Sequence, residues 1–167
     1  MNLPRLFRHL MSPHWRVRRS FPPAALARIE QAIAQSETRH GGQIRFAVEH
    51  ALDTASLLRG LAARQRALDV FSALKVWDTE HNNGVLIYLL LAEHAIEIVA
   101  DRGLARHVDA AEWQRITATM SAAFRAGEFE AGLNQAIDAV DALLARHFAL
   151  ARGETNPNEL SDAPYLR

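Results

Sequence analysis

The residues best equipped for chemistry in this chain are Asp78, Glu80, His81, Asn82 and Asn83, together with Asp101 and Arg102 further along. Carboxylate and amide oxygens are the ligands that hard cations such as Ca²⁺ or Mg²⁺ prefer. Two apolar runs, Val85 to Ala92 and Ala95 to Ala100, separate the two groups and are joined by Glu93-His94. Paired as an antiparallel hairpin, the start of the first run lies beside the end of the second, so both polar groups share one sheet edge. The expected cation ligands are therefore Asp78, Glu80, Asn82, Asn83 and Asp101. A structural reading stands beside this one: Asp and Asn side chains also cap backbone groups and make tight turns.

The alternation of Asp78, Glu80 and Asn82 invites comparison with an EF-hand loop, and the comparison fails. Gly84 falls one place late, and Leu89 stands where a bidentate Glu is required. Any cation site must instead be assembled across the edge. His81 could act as a ligand or a general base, or simply be exposed; no HExxH pair exists among the other histidines. Arg102 beside Asp101 reads as an ion pair. A phosphatase would need a metal-activated water or a nucleophile, with cations for the phosphoryl oxygens. Asp101 or Asp78 with a metal, aided by Arg102 and His81, could supply that set. However, Ser56, Ser72 and Thr79 sit in no recognisable triad context. No catalytic residue is assigned on this reading.

Several elements must position this edge. Phe21-Pro22-Pro23 opens a helix in which Leu26, Ile29 and Ile33 recur at helical spacing, and Gly41-Gly42 ends it. Gln43 to Glu49 alternates cleanly, predicting a half-buried strand with Ile44, Phe46 and Val48 inward. A helix is expected from about Ala55 to Leu74, burying Leu57, Leu61, Leu68 and Phe71, with Arg59, Arg64, Arg66 and Asp69 on a solvated face. Gly84 to Ala92 is apolar on both strand faces and should be a central strand covered from both sides. Asp109 and Glu112 form a capping-box pattern, with Val108 and Trp113 as a hydrophobic staple. Trp113, Ile116, Met120 and Phe124 give the buried stripe of that helix. A last helix runs from Glu128 to about His147. The order predicts an α/β fold, a three-layer α/β/α sandwich on a small mixed sheet that contains a central β-hairpin.

Composition narrows the function classes. The chain has 167 residues, 49% hydrophobic and 23% charged, enough for one domain with a core of its own. It has no cysteine, which excludes disulfides, zinc thiolates and thiol catalysis. Lysine plus arginine equals aspartate plus glutamate at 19 each, so no overall field recruits nucleic acid, and none is expected as a partner. The charge is nevertheless uneven, because six arginines precede the first acidic residue, Glu30. Residues 1–20 mix five of those arginines with Leu3, Leu6, Phe7, Leu10, Trp15 and Val17. Either this arm packs its apolar residues on the domain, or it is a basic amphipathic segment for an anionic membrane surface or a protein partner. Pro4 and Pro13 limit any helix there to one short piece. No apolar run approaches the ~20 residues of a membrane span, and no signal peptide is read, so the expected place is the cytoplasm, with peripheral membrane contact through the arm. The organisation expected is an arm over 1–20, a domain over 21–148 and a loose polar tail over 149–167.

Three pieces in sequence carry a resemblance to a known family. They are Asn83-Gly84 leading into Val85 to Leu90, then Ile96-Glu97-Ile98-Val99 ending near Gly103, then Ala123-Phe124-Arg125-Ala126-Gly127-Glu128-Phe129. Together they resemble the TPM-domain family over roughly residues 21–148, as a soluble bacterial subgroup without signal peptide or membrane helix. The resemblance implies an α/β/α sandwich. It also implies divalent-cation binding, found in some members, or acid phosphatase activity, found in plant members, or an accessory role without chemistry. Two positions depart from the family pattern: Asn82 replaces an acidic residue before the central strand, and Asp101-Arg102 precede the single Gly103. The reading that results is a noncatalytic binding or accessory module acting with a protein partner or at a membrane surface, with Ca²⁺ or Mg²⁺ at the sheet edge. The alternative is a weak metal-dependent acid phosphatase using the same edge.

Overall fold

The computed structural model describes residues 3–167. Its centre is a four-stranded sheet in the order β3-β2-β1-β4, made of β1 (Gln43–Glu49), β2 (Gly84–Leu90), β3 (Ala95–Ala100) and β4 (Tyr165–Leu166). β1 and β2 run parallel, with Gln43 opposite Gly84 and Glu49 opposite Leu90. A parallel pair needs a crossover, and two helices supply it: α4 (Thr54–Leu58) and α5 (Ala63–Ala73). β2 and β3 form the expected antiparallel hairpin, with Val85 opposite Ala100 and Leu90 opposite Ala95. A 3-10 turn at Leu91–Glu93 and a left-handed His94 close it.

Side-chain alternation divides the core into two layers. Ile44, Phe46, Val48, Val85, Ile87 and Leu89 face α3 (Pro23–Glu37), α7 (Ala110–Arg125) and α8 (Phe129–His147). Ala47, Leu86, Tyr88, Leu90 and Val99 face Ala63, Ala67 and Val70 of α5. The sandwich is thus three-layered, and β2 is buried along its whole length because it has strands on both sides and helices on both faces. Phe21 packs edge-on against Phe46, Phe124 and Phe129, with ring centroids 5.3, 6.4 and 5.8 Å away. This cluster explains the spacing of the two phenylalanines around Gly127.

Several expectations are corrected by the fold. β1 is buried on both faces, not one, because α5 and the C-terminal segment cover its second face. The helix expected over 55–74 is broken at Gly60, whose φ of 72° suits only glycine without strain. Its buried residues are Ala63, Ala67 and Val70, while Leu68 is exposed and Leu57 and Phe71 only border the core. Arg66 does not lie on a solvated face; it pairs with the buried Glu49. The arm holds two short helices, α1 (Leu3–Leu10) and α2 (Trp15–Ser20), on either side of Pro13. The segment from 149 onward is anchored, not loose. Leu160 and Tyr165 join the second core layer, and β4 pairs parallel with Ala47 and Val48. The capping pattern at Asp109 is met by backbone alone: Glu112 N–H donates to the Asp109 carbonyl at 3.0 Å, and the Asp109 side chain makes no cap bond.

Candidate functional site

The hairpin brings Asn82, Asn83, Asp101 and Arg102 to one edge, as the antiparallel register requires. Asp101 N–H donates to the Gly84 carbonyl at 2.9 Å, and Gly103 N–H to the Asn82 carbonyl at 2.8 Å. Two glycines make this approach feasible. A Cβ on Gly84 would stand 2.0 Å from the Val76 carbonyl oxygen, and one on Gly103 would stand 2.3 Å from the carbonyls of His81 and Asn82. Asn82 takes a left-handed conformation, φ 52°, which Asn tolerates better than most residues.

The side chains here have distinct duties. Asp101 caps the short helix α6 (Arg102–Ala105): its Oδ1 accepts the Arg102 backbone N–H at 2.7 Å. Its Oδ2 is buried with no hydrogen-bond partner. Asn83 is fully buried and donates from Nδ2 to the Gly41 carbonyl at 3.0 Å, while its Oδ1 also has no partner. The Asn83 N–H is received by Thr79 Oγ1 at 3.1 Å. The Arg102 guanidinium does not form the expected ion pair with Asp101; Nε donates to Asn82 Oδ1 at 3.2 Å. Asp78, Glu80 and His81 lie exposed on the preceding loop, where Glu80 N–H is received by Glu159 Oε2 at 2.9 Å. Among the described residues, no three His, Cys, Asp or Glu side chains are grouped so as to hold a metal ion. A cation at this edge would therefore rest on one carboxylate supplemented by amide and backbone oxygens.

Beneath the edge lies a buried polar layer that residue spacing did not reveal. His40 is fully buried at the end of α3. Its Nδ1 accepts the Gly42 N–H at 3.2 Å, so the ring proton sits on Nε2, which faces Ser36 Oγ at 3.2 Å and Asp141 Oδ1 at 3.3 Å. A hydrolytic relay needs serine and acid on opposite ring nitrogens. Here both share one nitrogen, and the trio clamps α3 to α8. Burial is the largest influence on His40 and holds its pKa below the ordinary 6.5. Asn156 of the C-terminal segment donates to the His40 and Gly42 carbonyls at 2.7 and 2.9 Å and accepts from Gln43 Nε2 at 2.6 Å. Ser36, His40, Gly42 and Gln43 are near in sequence, but Asp141 and Asn156 are about a hundred residues away, so nothing local signals the layer.

A second buried group occupies the other face of the sheet. Glu49 accepts from Arg66 Nη2 and Nε, at 2.6 and 2.8 Å, and from the Tyr88 hydroxyl at 2.8 Å. Burial, before the neighbouring carboxylate, pushes the Tyr88 pKa upward, so the phenol keeps its proton and donates. This trio ties α5 to β1 and β2.

Sheet order, hairpin and the two covering helical layers define the chain as an α/β/α sandwich with a polar hairpin edge. The TPM domain model matches residues 19–143, and the chain belongs to the TPM-domain family. A similar solved structure is the NMR structure of BA42 protein from the psychrophilic bacterium Bizionia argentinensis sp. nov.. It is 26% identical, with a TM-score of 0.75 over 86% of this chain and 93% of that one. Among curated proteins none matches. Among the described residues, no helix is long and apolar enough to cross a membrane.

Proposed function

We propose that this chain is a noncatalytic TPM-type binding module that takes a hard divalent cation, Ca²⁺ or Mg²⁺, at the hairpin edge and presents it to a protein partner. One observation carries the reading. Asn83 Oδ1 and Asp101 Oδ2 are both buried and unpartnered, and they belong to residues on adjoining ends of β2 and β3. Buried polar atoms without partners cost folding free energy unless something occupies them. Oxygen acceptors lacking donors suit a cation rather than an anion. Asn82 Oδ1 can join once the Arg102 side chain turns away. Asp78 and Glu80, on the exposed loop, can close over the ion from outside. With a single inner carboxylate the affinity should be weak, on the order of 10⁻⁴ to 10⁻³ M.

Thermal unfolding with and without millimolar Ca²⁺, Mg²⁺ and Mn²⁺ tests this, because a ligand that binds only the folded state raises the melting temperature. Asp101→Asn keeps a capping side chain but removes the charge. It should fold normally and lose the cation-induced shift. No shift with any of the three ions, or an undiminished shift in Asp101→Asn, would overturn the assignment. A phosphate-monoester assay on the same proteins addresses the alternative: cation-dependent hydrolysis abolished by Asp101→Asn would make the edge catalytic.

A further inference from the structure

We infer that the N-terminal helix pair is a docking surface for anionic lipid. α1 is pinned to the hairpin turn by its inner face. Arg5 Nε and His9 Nε2 both reach Glu93 Oε1, at 2.6 and 2.8 Å, and His9 Nδ1 accepts the Leu52 N–H at 3.0 Å. Ser12 Oγ donates to the His50 carbonyl at 3.0 Å, and Val17 of α2 is buried in the core. The pair is therefore held in place, and its outer face is set by that anchoring.

That outer face is apolar. Leu3, Phe7, Leu10, Met11 and Trp15 are each 57–66% exposed, and together they make up more than half of the exposed large apolar side chains among the described residues. Leu3, Phe7, Leu10 and Met11 follow helical spacing and so lie along one side of α1 and its continuation. A monomeric protein seldom gathers such residues without a use for them. The charged residues of the segment itself have one sign. Arg8, Arg18 and Arg19 are exposed, the Arg19 guanidinium lies 5.9 Å from the Trp15 ring centre, and no acidic residue precedes Glu30. Leucine and aromatic side chains on one face with arginines beside them match an interfacial helix lying in the headgroup region of a negatively charged bilayer. Tryptophan, with an apolar body and a polar N–H, favours that boundary.

The topology also fixes an orientation. The helix pair sits at the β2–β3 turn, whereas Asp101 and Asn83 sit at the opposite end of the hairpin. Seven residues of β2 span about 20 Å at ~3.3 Å per residue. Docking would therefore turn the polar edge away from the lipid. It would lie beyond the ~10 Å over which surface charge is felt at 0.1 M salt.

Sedimentation of the full chain with phosphatidylcholine vesicles, alone or with a third phosphatidylglycerol, tests the inference. Binding is expected only to the anionic vesicles and should weaken sharply from low to high salt. Phe7→Ser combined with Leu10→Ser should weaken it at least tenfold. Arg18→Gln combined with Arg19→Gln should weaken it about 25-fold, at roughly fivefold per arginine. All four positions are exposed, so circular dichroism should show unchanged folds. Equal binding to neutral vesicles, no binding to anionic ones, or indifference to both double variants would overturn the inference. So would a concentration-dependent dimer in velocity sedimentation that the Phe7→Ser, Leu10→Ser variant abolishes without any vesicle binding, because the face would then belong to a protein contact.

Discussion

Replacing Arg66 by Met gives the sharpest check on how the sheet is held to α5. The Glu49 side chain is 1% exposed and that of Arg66 17%, and two guanidinium nitrogens approach the carboxylate at 2.6 and 2.8 Å. Methionine keeps much of the apolar stem that lies against the sheet. What it removes is the charge, leaving Glu49 with the Tyr88 hydroxyl and with Arg167, which is half exposed and 3.7 Å away. Removing one partner of a buried ion pair costs about 3–5 kcal/mol. A domain of this size has about 5–15 kcal/mol in total. At 2–4 °C per kcal/mol, the melting temperature should fall by about 6–20 °C. Adding Glu49→Gln removes the stranded charge, so the double variant should recover half or more of the loss. Urea unfolding of the wild type, both single variants and the double variant closes the cycle. A loss below about 1 kcal/mol in Arg66→Met, or the same loss with Glu49→Gln present, would show that the pair is no buried tie.

Two further outcomes follow from the packing. Burial, more than any neighbour, pushes the Glu37 carboxyl from 4.5 up to about 8, so the folded state holds its proton more tightly than the unfolded chain does. Its contribution is fully present below about pH 4.5 and is lost as pH rises toward 8, at no more than about 1.4 kcal/mol per pH unit. Glu37→Gln can still accept the Ile44 N–H that now reaches Glu37 Oε1 at 2.8 Å; its stability should vary less with pH across this window, and urea midpoints at pH 5.5, 7 and 8.5 would show whether it does. Gly84→Ala should be far more damaging than Gly42→Ala. The new Cβ would meet the Val76 backbone carbonyl at 2.0 Å in the first case and the mobile end of Leu144 at 2.4 Å in the second. A loss of about 3 kcal/mol or more against about 1–2 is expected by calorimetry, and equal losses would refute the distinction.

Local pattern carried far in this chain because its sheet is built from short, strongly apolar strands. The alternation of Ile44, Phe46 and Val48 gave β1 at its observed ends, and the double-sided run from Gly84 to Ala92 gave β2 with its last two residues, Leu91 and Ala92, falling instead in the 3-10 turn. The hairpin register followed from one polar turn, and with it the meeting of Asn82, Asn83, Asp101 and Arg102. Gly60 misled because the flanking residues keep a helical period through it, and only its positive φ reveals the break. Arg66 misled because a charged residue at a helical position reads as solvated until its partner is known. That partner, Glu49, lies on the face of β1 that the pattern left polar.

The sequence by itself thus determined the sandwich, the central hairpin and the family. The sandwich and hairpin rest on periodicity and turn chemistry, both of which act between near neighbours, and the family on the resemblance of three sequence pieces. Only the tertiary structure decided the rest. It anchored the C-terminal segment through Asn156 and β4 and buried His40 between Ser36 and Asp141. It also left Asn83 Oδ1 and Asp101 Oδ2 without donors and turned one face of α1 outward while Arg5 and His9 held the other. Each of these depends on groups far apart in the chain, and their energies arise from burial and partnership, which exist only once the layers have closed.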